Sequence, residues 1–102
     1  MEKEILLKTH KSYRFVVAIC DKDLYGKSLH EDNKKLDLSG EFFNGEEMNA
    51  KETKEKIIEL VREDATFNIV GEKSIELAKE LGMVTDKGIM TIKNIPYALV
   101  LV

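Results

Sequence analysis

Residues 65–70, Ala65-Thr66-Phe67-Asn68-Ile69-Val70, stand between two stretches of helical periodicity, and the architecture turns on how they are read. They suit either a short buried strand or a helical turn joining two helices. The apolar run is short and Asn68 interrupts it, which favours the turn. Upstream, Asn49 suits a helix N-cap, and Glu52 three residues later makes a capping-box variant with Asn in the Ser/Thr place. Ile57, Ile58, Leu60, Val61 and Ala65 then form an apolar stripe at helical spacing. Lys51–Glu55 and Glu52–Lys56 can pair at i,i+4 for only about 0.2–0.5 kcal/mol each, so the outer face reads as solvated surface. Downstream, Gly71 opens a second helix over 72–81, with Ile75, Ala78 and Leu81 as its stripe flanked by Leu77, and Gly82 as the left-handed residue that ends it.

Farther out the periodicity changes from helical to extended. Residues 4–9 and 14–20 read as strands joined by the short polar link His10-Lys11-Ser12-Tyr13, hence as an antiparallel hairpin. Asp21 to Lys27 reads as a turn, with Gly26 at a positive φ. Lys34–Leu38 reads as a third short strand, and Glu41 to Glu46 as a loop carrying Phe42 and Phe43. Ile89–Lys93 and Tyr97–Val102 close the chain as two strands, separated by a turn at Asn94-Ile95-Pro96. Residues 98–102 are apolar on both faces, which requires an interior strand or an edge covered by a partner chain. The expected architecture is α+β: a mostly antiparallel sheet with two helices packed on one face, in a single domain over residues 1–102.

Composition narrows the function classes. The chain has 102 residues, a net charge of −3 and one cysteine, Cys20. No intrachain disulfide can form, which fits a reducing compartment. No apolar run approaches the ~20 residues that span a bilayer, so the expected location is the cytoplasm, without membrane partners. Residues 1–35 carry eight Lys/Arg against six Asp/Glu and residues 46–64 four against seven, so any attraction to a polyanion is confined to the first third.

Catalytic motifs are scarce. Gly26-Lys27-Ser28 matches the end of a phosphate loop, but the motif needs a glycine five residues earlier, where Asp21 stands. His10, Cys20 and His30 lack metal-ligand spacing, so no metal or cofactor is expected. The start of the second helix, with Asn68, Gly71, Lys73 and Ser74, is a candidate anion site, because a helix N-terminus offers free N–H groups, although Glu72 there opposes an anion. The two aromatic and glycine-bearing loops suggest single-stranded RNA, whose bases stack and whose phosphates pair with cations. The candidate RNA-binding residues are Arg14, Lys22, Tyr25, Lys27, Phe42 and Phe43.

Four stretches carry a family resemblance: Asp21-Lys22-Asp23-Leu24-Tyr25-Gly26-Lys27, Leu38-Ser39-Gly40-Glu41-Phe42-Phe43-Asn44-Gly45-Glu46, Asn68-Ile69-Val70-Gly71-Glu72-Lys73-Ser74-Ile75-Glu76-Leu77-Ala78 and Ile95-Pro96-Tyr97-Ala98. In their order and spacing the chain resembles a family of small archaeal proteins known as domain of unknown function 424. The resemblance implies an archaeal cytoplasmic protein of compact α+β fold and brings no established activity. The leading expectation is a non-catalytic binding module for RNA or a ribonucleoprotein. Two others stand beside it: a protein-interaction subunit that forms a homodimer through Tyr97–Val102, and an enzyme or binder of a small anion at Gly71.

Overall fold

The computed structural model describes residues 2–101. Strands β1 (Ile5–Lys11) and β2 (Phe15–Asp21) form the expected antiparallel hairpin. A single 3₁₀ turn at Lys22–Leu24 leads to a second hairpin, β3 (Ser28–Glu31) and β4 (Lys34–Asp37), whose tip places Asp32 at φ 53°. A further turn at Glu41–Phe43 precedes β5 (Glu46–Met48) and helix α1 (Ala50–Val61). Strand β6 (Thr66–Val70) follows, then helix α2 (Glu72–Glu80), β7 (Met90–Ile92) and β8 (Ile95–Leu101).

The six-stranded sheet has the order β5-β1-β2-β6-β8-β7, and β3-β4 stands apart from it. Four of its five pairings are antiparallel, and β2 with β6 is parallel. The α+β class is therefore as expected, but residues 66–70 are a strand rather than a turn. Phe67 and Ile69 are buried against the helices, while Thr66 and Asn68 point to the opposite face. Asn68, the residue that argued for a turn, is the polar half of a period-two alternation. The long link from β2 to β6 supplies the crossover that a parallel pair needs.

Helix α1 begins as its sequence requires. The Asn49 side chain accepts from the Glu52 amide at 2.9 Å, and the Glu52 carboxylate accepts from the Asn49 amide at 2.9 Å. The outer-face pairs are not those at i,i+4: Lys54 meets Glu80 of α2, and Lys56 meets Glu59. Gly26 and Gly82 hold the positive φ assigned to them. The final turn falls at Lys93-Asn94, one residue earlier than read, so Ile95 and Pro96 belong to β8. Val102, the last residue of the predicted closing strand, lies outside the described residues.

Both helices pack on one face of the sheet. There Ile57, Leu60, Ile75, Leu77 and Ala78 meet Ile5, Leu7, Val17, Ile19, Phe67, Ile69 and Ala98. A second apolar cluster forms on the other face, where Leu38, Phe43 and the half-buried Leu24, Tyr25, Leu29 and Leu36 cover Leu6, Ala18, Cys20, Val70, Ile95 and Tyr97. The β3–β4 hairpin and its flanking turns are thus a partial third layer. They cover one half of that face and leave the other half open.

Candidate functional site

The open half is defined by strand register. His10 lies beside Val16, Val16 beside Thr66, and Thr66 beside Leu101. One step inward, at the border with the covered half, Lys8, the buried Ala18, Asn68 and Leu99 form a parallel row. These positions share a face because side chains alternate along each strand. Across β1, β2, β6 and β8 each row spans three inter-strand gaps of about 4.8 Å.

His10 is anchored at one end of its row. Its ring stacks on Phe42 with centroids 4.7 Å apart and planes within 8°, and its Nε2 lies 3.0 Å from the Phe42 carbonyl oxygen. Lys8 Nζ donates to the Glu41 carbonyl at 3.0 Å. At the other end of the rows Leu99 is 57% exposed and Leu101 72%. Around the edge of the sheet, Ile57, Ile58, Val61, Arg62, Met83 and Val100 contribute to an apolar groove beside Leu101. Tyr13 stands fully exposed at the β1–β2 turn, next to Arg14. Among the described residues the exposed large apolar side chains are Tyr13, Phe42, Ile58, Met90, Leu99 and Leu101, and all of these but Met90 belong to this one end of the molecule.

The backbone of β8 adds to the exposure. The Gly71 amide donates to the Pro96 carbonyl at 2.8 Å, so Pro96, Ala98 and Val100 direct their polar groups toward β6. By alternation Tyr97, Leu99 and Leu101 direct theirs outward. Strand β7 pairs only with Ile95–Tyr97. Among the described residues, no strand pairs with the outer edge of Leu99–Leu101. The closing strand is thus interior over its first half and an uncovered edge over its second.

The six residues proposed for RNA do not form one surface. Arg14 precedes β2, whereas Lys22 follows it, so they sit at opposite ends of a seven-residue strand. Lys22 is held by Glu47 at 2.8 Å, and Lys27 continues the same far loop. Tyr25 is half-buried, with its hydroxyl donating to the Gly40 carbonyl at 3.2 Å. Phe43 is buried in the second core cluster. Of the six, Arg14 and Phe42 reach the open end of the sheet.

The candidate anion site at α2 is filled by the chain's own carboxylate. Asp21, at the end of β2, accepts from the Lys73 amide at 3.1 Å, the Ser74 amide at 2.8 Å and the Ser74 hydroxyl at 2.7 Å. An acidic side chain from a neighbouring strand therefore satisfies the free N–H groups and the dipole of the helix start. Gly71 has φ 111°, and a Cβ there would collide with the Asp21 carboxylate. Asn68 points to the opposite side of the sheet, and Lys73 Nζ pairs with Glu4 at 2.8 Å. That pairing holds the Glu4 carboxyl below its ordinary value and raises the Lys73 ammonium. The anion-binding reading of Asn68, Gly71, Lys73 and Ser74 is corrected on this geometry.

Cys20 is fully buried beside Asp21, and burial pushes its thiol up to about 12. A neutral, enclosed thiol has no nucleophilic character at neutral pH. Among the described residues no three His, Cys, Asp or Glu side chains converge in a manner suited to a metal. Among the described residues no helix is long and apolar enough to cross a membrane.

The sequence reading missed β3, β5 and the role of Asp21, gave no role to Lys8 or Thr66, and weighed His10 only as a metal ligand. The alternation of Thr66 and Asn68 with Phe67 and Ile69 was the signal available for the open face.

Comparison with known proteins agrees with this architecture. Residues 9–102 match a family described as "Protein of unknown function (DUF424)", and the chain belongs to that family. Among solved structures it is similar to an uncharacterized conserved protein from Methanopyrus kandleri. The two share 27% sequence identity and a TM-score of 0.82 over 95% of this chain and 91% of the other. No curated protein matches.

Proposed function

We propose that this protein is a non-catalytic binding module that engages a protein partner at the open end of its sheet, by strand addition to β8. The observation that carries this reading is the coincidence of two exposures at Leu99 and Leu101. Their side chains are more than half exposed, and their backbone groups face outward beyond the reach of β7. Fully burying a leucine is worth roughly 1.5–3 kcal/mol, so each leaves on the order of 1 kcal/mol unrealised. An added strand recovers that energy and supplies backbone hydrogen bonds, with the groove beside Val100 to select its side chains.

An RNA ligand is the weaker reading. Lys22 is neutralised by Glu47, and the remaining named groups lie apart. The open face offers RNA a ring pair, His10 and Phe42, but leucines line its far side.

The test uses a fluorescent peptide that repeats Ala-Leu-Val-Leu between solubilising lysines, alongside a labelled oligouridylate at low salt. Anisotropy is expected to report peptide binding that Leu101→Glu abolishes, with no oligouridylate binding. Oligouridylate binding lost in Arg14→Glu, without peptide binding, would replace the protein reading with RNA.

A further inference from the structure

We infer that the strand added at this edge belongs to a second copy of the same chain, paired antiparallel through Leu99–Leu101 about a two-fold axis. This rests on the binding surface proposed above and names its occupant. The pattern of free backbone groups is what selects that occupant. An antiparallel pair exchanges two hydrogen bonds between residues that face each other, then skips a position. Here the outward-facing residues are Leu99 and Leu101, with Val100 between them directed inward toward β6.

When two such edges meet about a dyad at Val100, Leu99 of one copy faces Leu101 of the other, and the reverse. All four outward N–H groups and all four outward carbonyls are then used. A register shifted by two residues, with Leu99 opposite its own mate, would place Leu101 opposite Tyr97 of the second copy. The outward groups of Tyr97 already face β7, so that register is blocked. With the dyad at Leu101 instead, the outward groups of Leu99 would find no partner in Leu99–Leu101 of the second copy, so the dyad at Val100 is the register that makes the edge fully self-complementary, as an isologous contact must be.

The side chains agree with the backbone. Val100 lies on the helix side and lines the apolar groove with Ile57, Ile58, Val61 and Met83. In the paired register, Val100 of the second copy comes beside Val100 of the first, where opposed non-hydrogen-bonded residues lie closest. It thus brings an apolar side chain to the mouth of that groove. On the opposite face, Leu99 and Leu101 of the two copies pack as cross-strand pairs. A sheet edge left open with two leucines on it is an aggregation hazard for a monomer, and closed two-fold pairing removes the hazard.

The edge also provides a selective variant. The Leu99 N–H points away from β6, so Leu99→Pro deletes a donor that the isolated chain leaves unused, and proline is tolerated at such edge positions. Light scattering and sedimentation of the full chain, from micromolar to near-millimolar concentration, should show twice the monomer mass at the upper end. Leu99→Pro should be monomeric throughout, with unchanged circular dichroism and melting midpoint. Leu99→Glu serves as a second variant, should proline perturb the fold, and should also be monomeric. A wild-type chain that stays monomeric at the highest concentration overturns the inference, and so does a dimer that survives both substitutions. A monomeric wild-type chain that nevertheless binds the alternating-leucine peptide overturns self-pairing alone and leaves the binding surface standing. Failure of both removes the surface as well.

Discussion

Asp21 is the residue on which the middle of the molecule depends. It ends β2, reaches across to the start of α2 and accepts three hydrogen bonds there. Removing a buried, charged partner of this kind leaves two amides and a hydroxyl unsatisfied. Asp21→Ala is therefore expected to lower unfolding free energy by about 2–3 kcal/mol in urea denaturation. Gly71→Ala should cost at least as much, on the order of 2–4 kcal/mol, because it combines an unfavourable φ with a collision against the same carboxylate. Cys20 gives a second test at this scale. Its thiol, pushed up to about 12 by burial, should resist alkylation in the native protein at mildly alkaline pH and react fully in urea. In the unfolded chain the thiol ionises near pH ~8.5, whereas in the folded chain it holds its proton to about pH 12. This contribution to stability is complete below pH ~8.5 and declines as pH rises through that window.

At the scale of elements, the capping box of α1 was legible from Asn49 and Glu52 alone, because both partners lie within four residues of each other. Asn49→Ala should cost about 1 kcal/mol, measured by thermal unfolding. The Glu52 carboxyl is held below its ordinary value chiefly by the Asn49 amide. The stabilisation is thus present above the unfolded carboxylate value of ~4.3 and fades as pH falls through the lower folded one. Acid titration of Glu52→Gln should show a flatter stability profile below pH ~4.5 than the wild type. Strand β6 was misread for a reason of the opposite kind. Asn68 breaks an apolar run when the run is taken as buried on both sides. Its place is explained only by the uncovered sheet face opposite the helices, which is a property of the tertiary arrangement. The same holds for β5, three residues whose strand character comes from pairing with β1. Nothing in residues 46–48 announces it.

For the molecule as a whole, the α+β class and the side occupied by the helices followed from the order of periodic segments. The candidate sites did not follow. Lys22 and Lys27 looked available beside Arg14 in sequence, yet a strand length separates them, and Glu47 occupies Lys22. The start of α2 looked ready for an anion, yet the carboxylate that fills it comes from Asp21, fifty-two residues before Lys73 in the chain. Conversely, the doubly apolar closing strand did signal an interior strand or an edge in need of a cover. The fold sharpens that signal to Leu99 and Leu101, where β7 stops short. The β3–β4 layer stops short of the same end on the other axis, which leaves His10, Phe42, Thr66 and Asn68 beside it.

The central claim is that this end of the sheet is where the protein meets its partner. Backbone amide shifts, recorded for the isotope-labelled Leu99→Glu chain and for the wild type over a concentration series, test it directly. The account predicts concentration-dependent shifts in the wild type confined to Thr66, Asn68, Ala98–Leu101 and the groove residues Ile58 and Met83, and none in the variant. Shifts that instead map to Lys22, Lys27 and the start of α2, or a wild-type spectrum that neither concentration nor the leucine peptide alters, would contradict it.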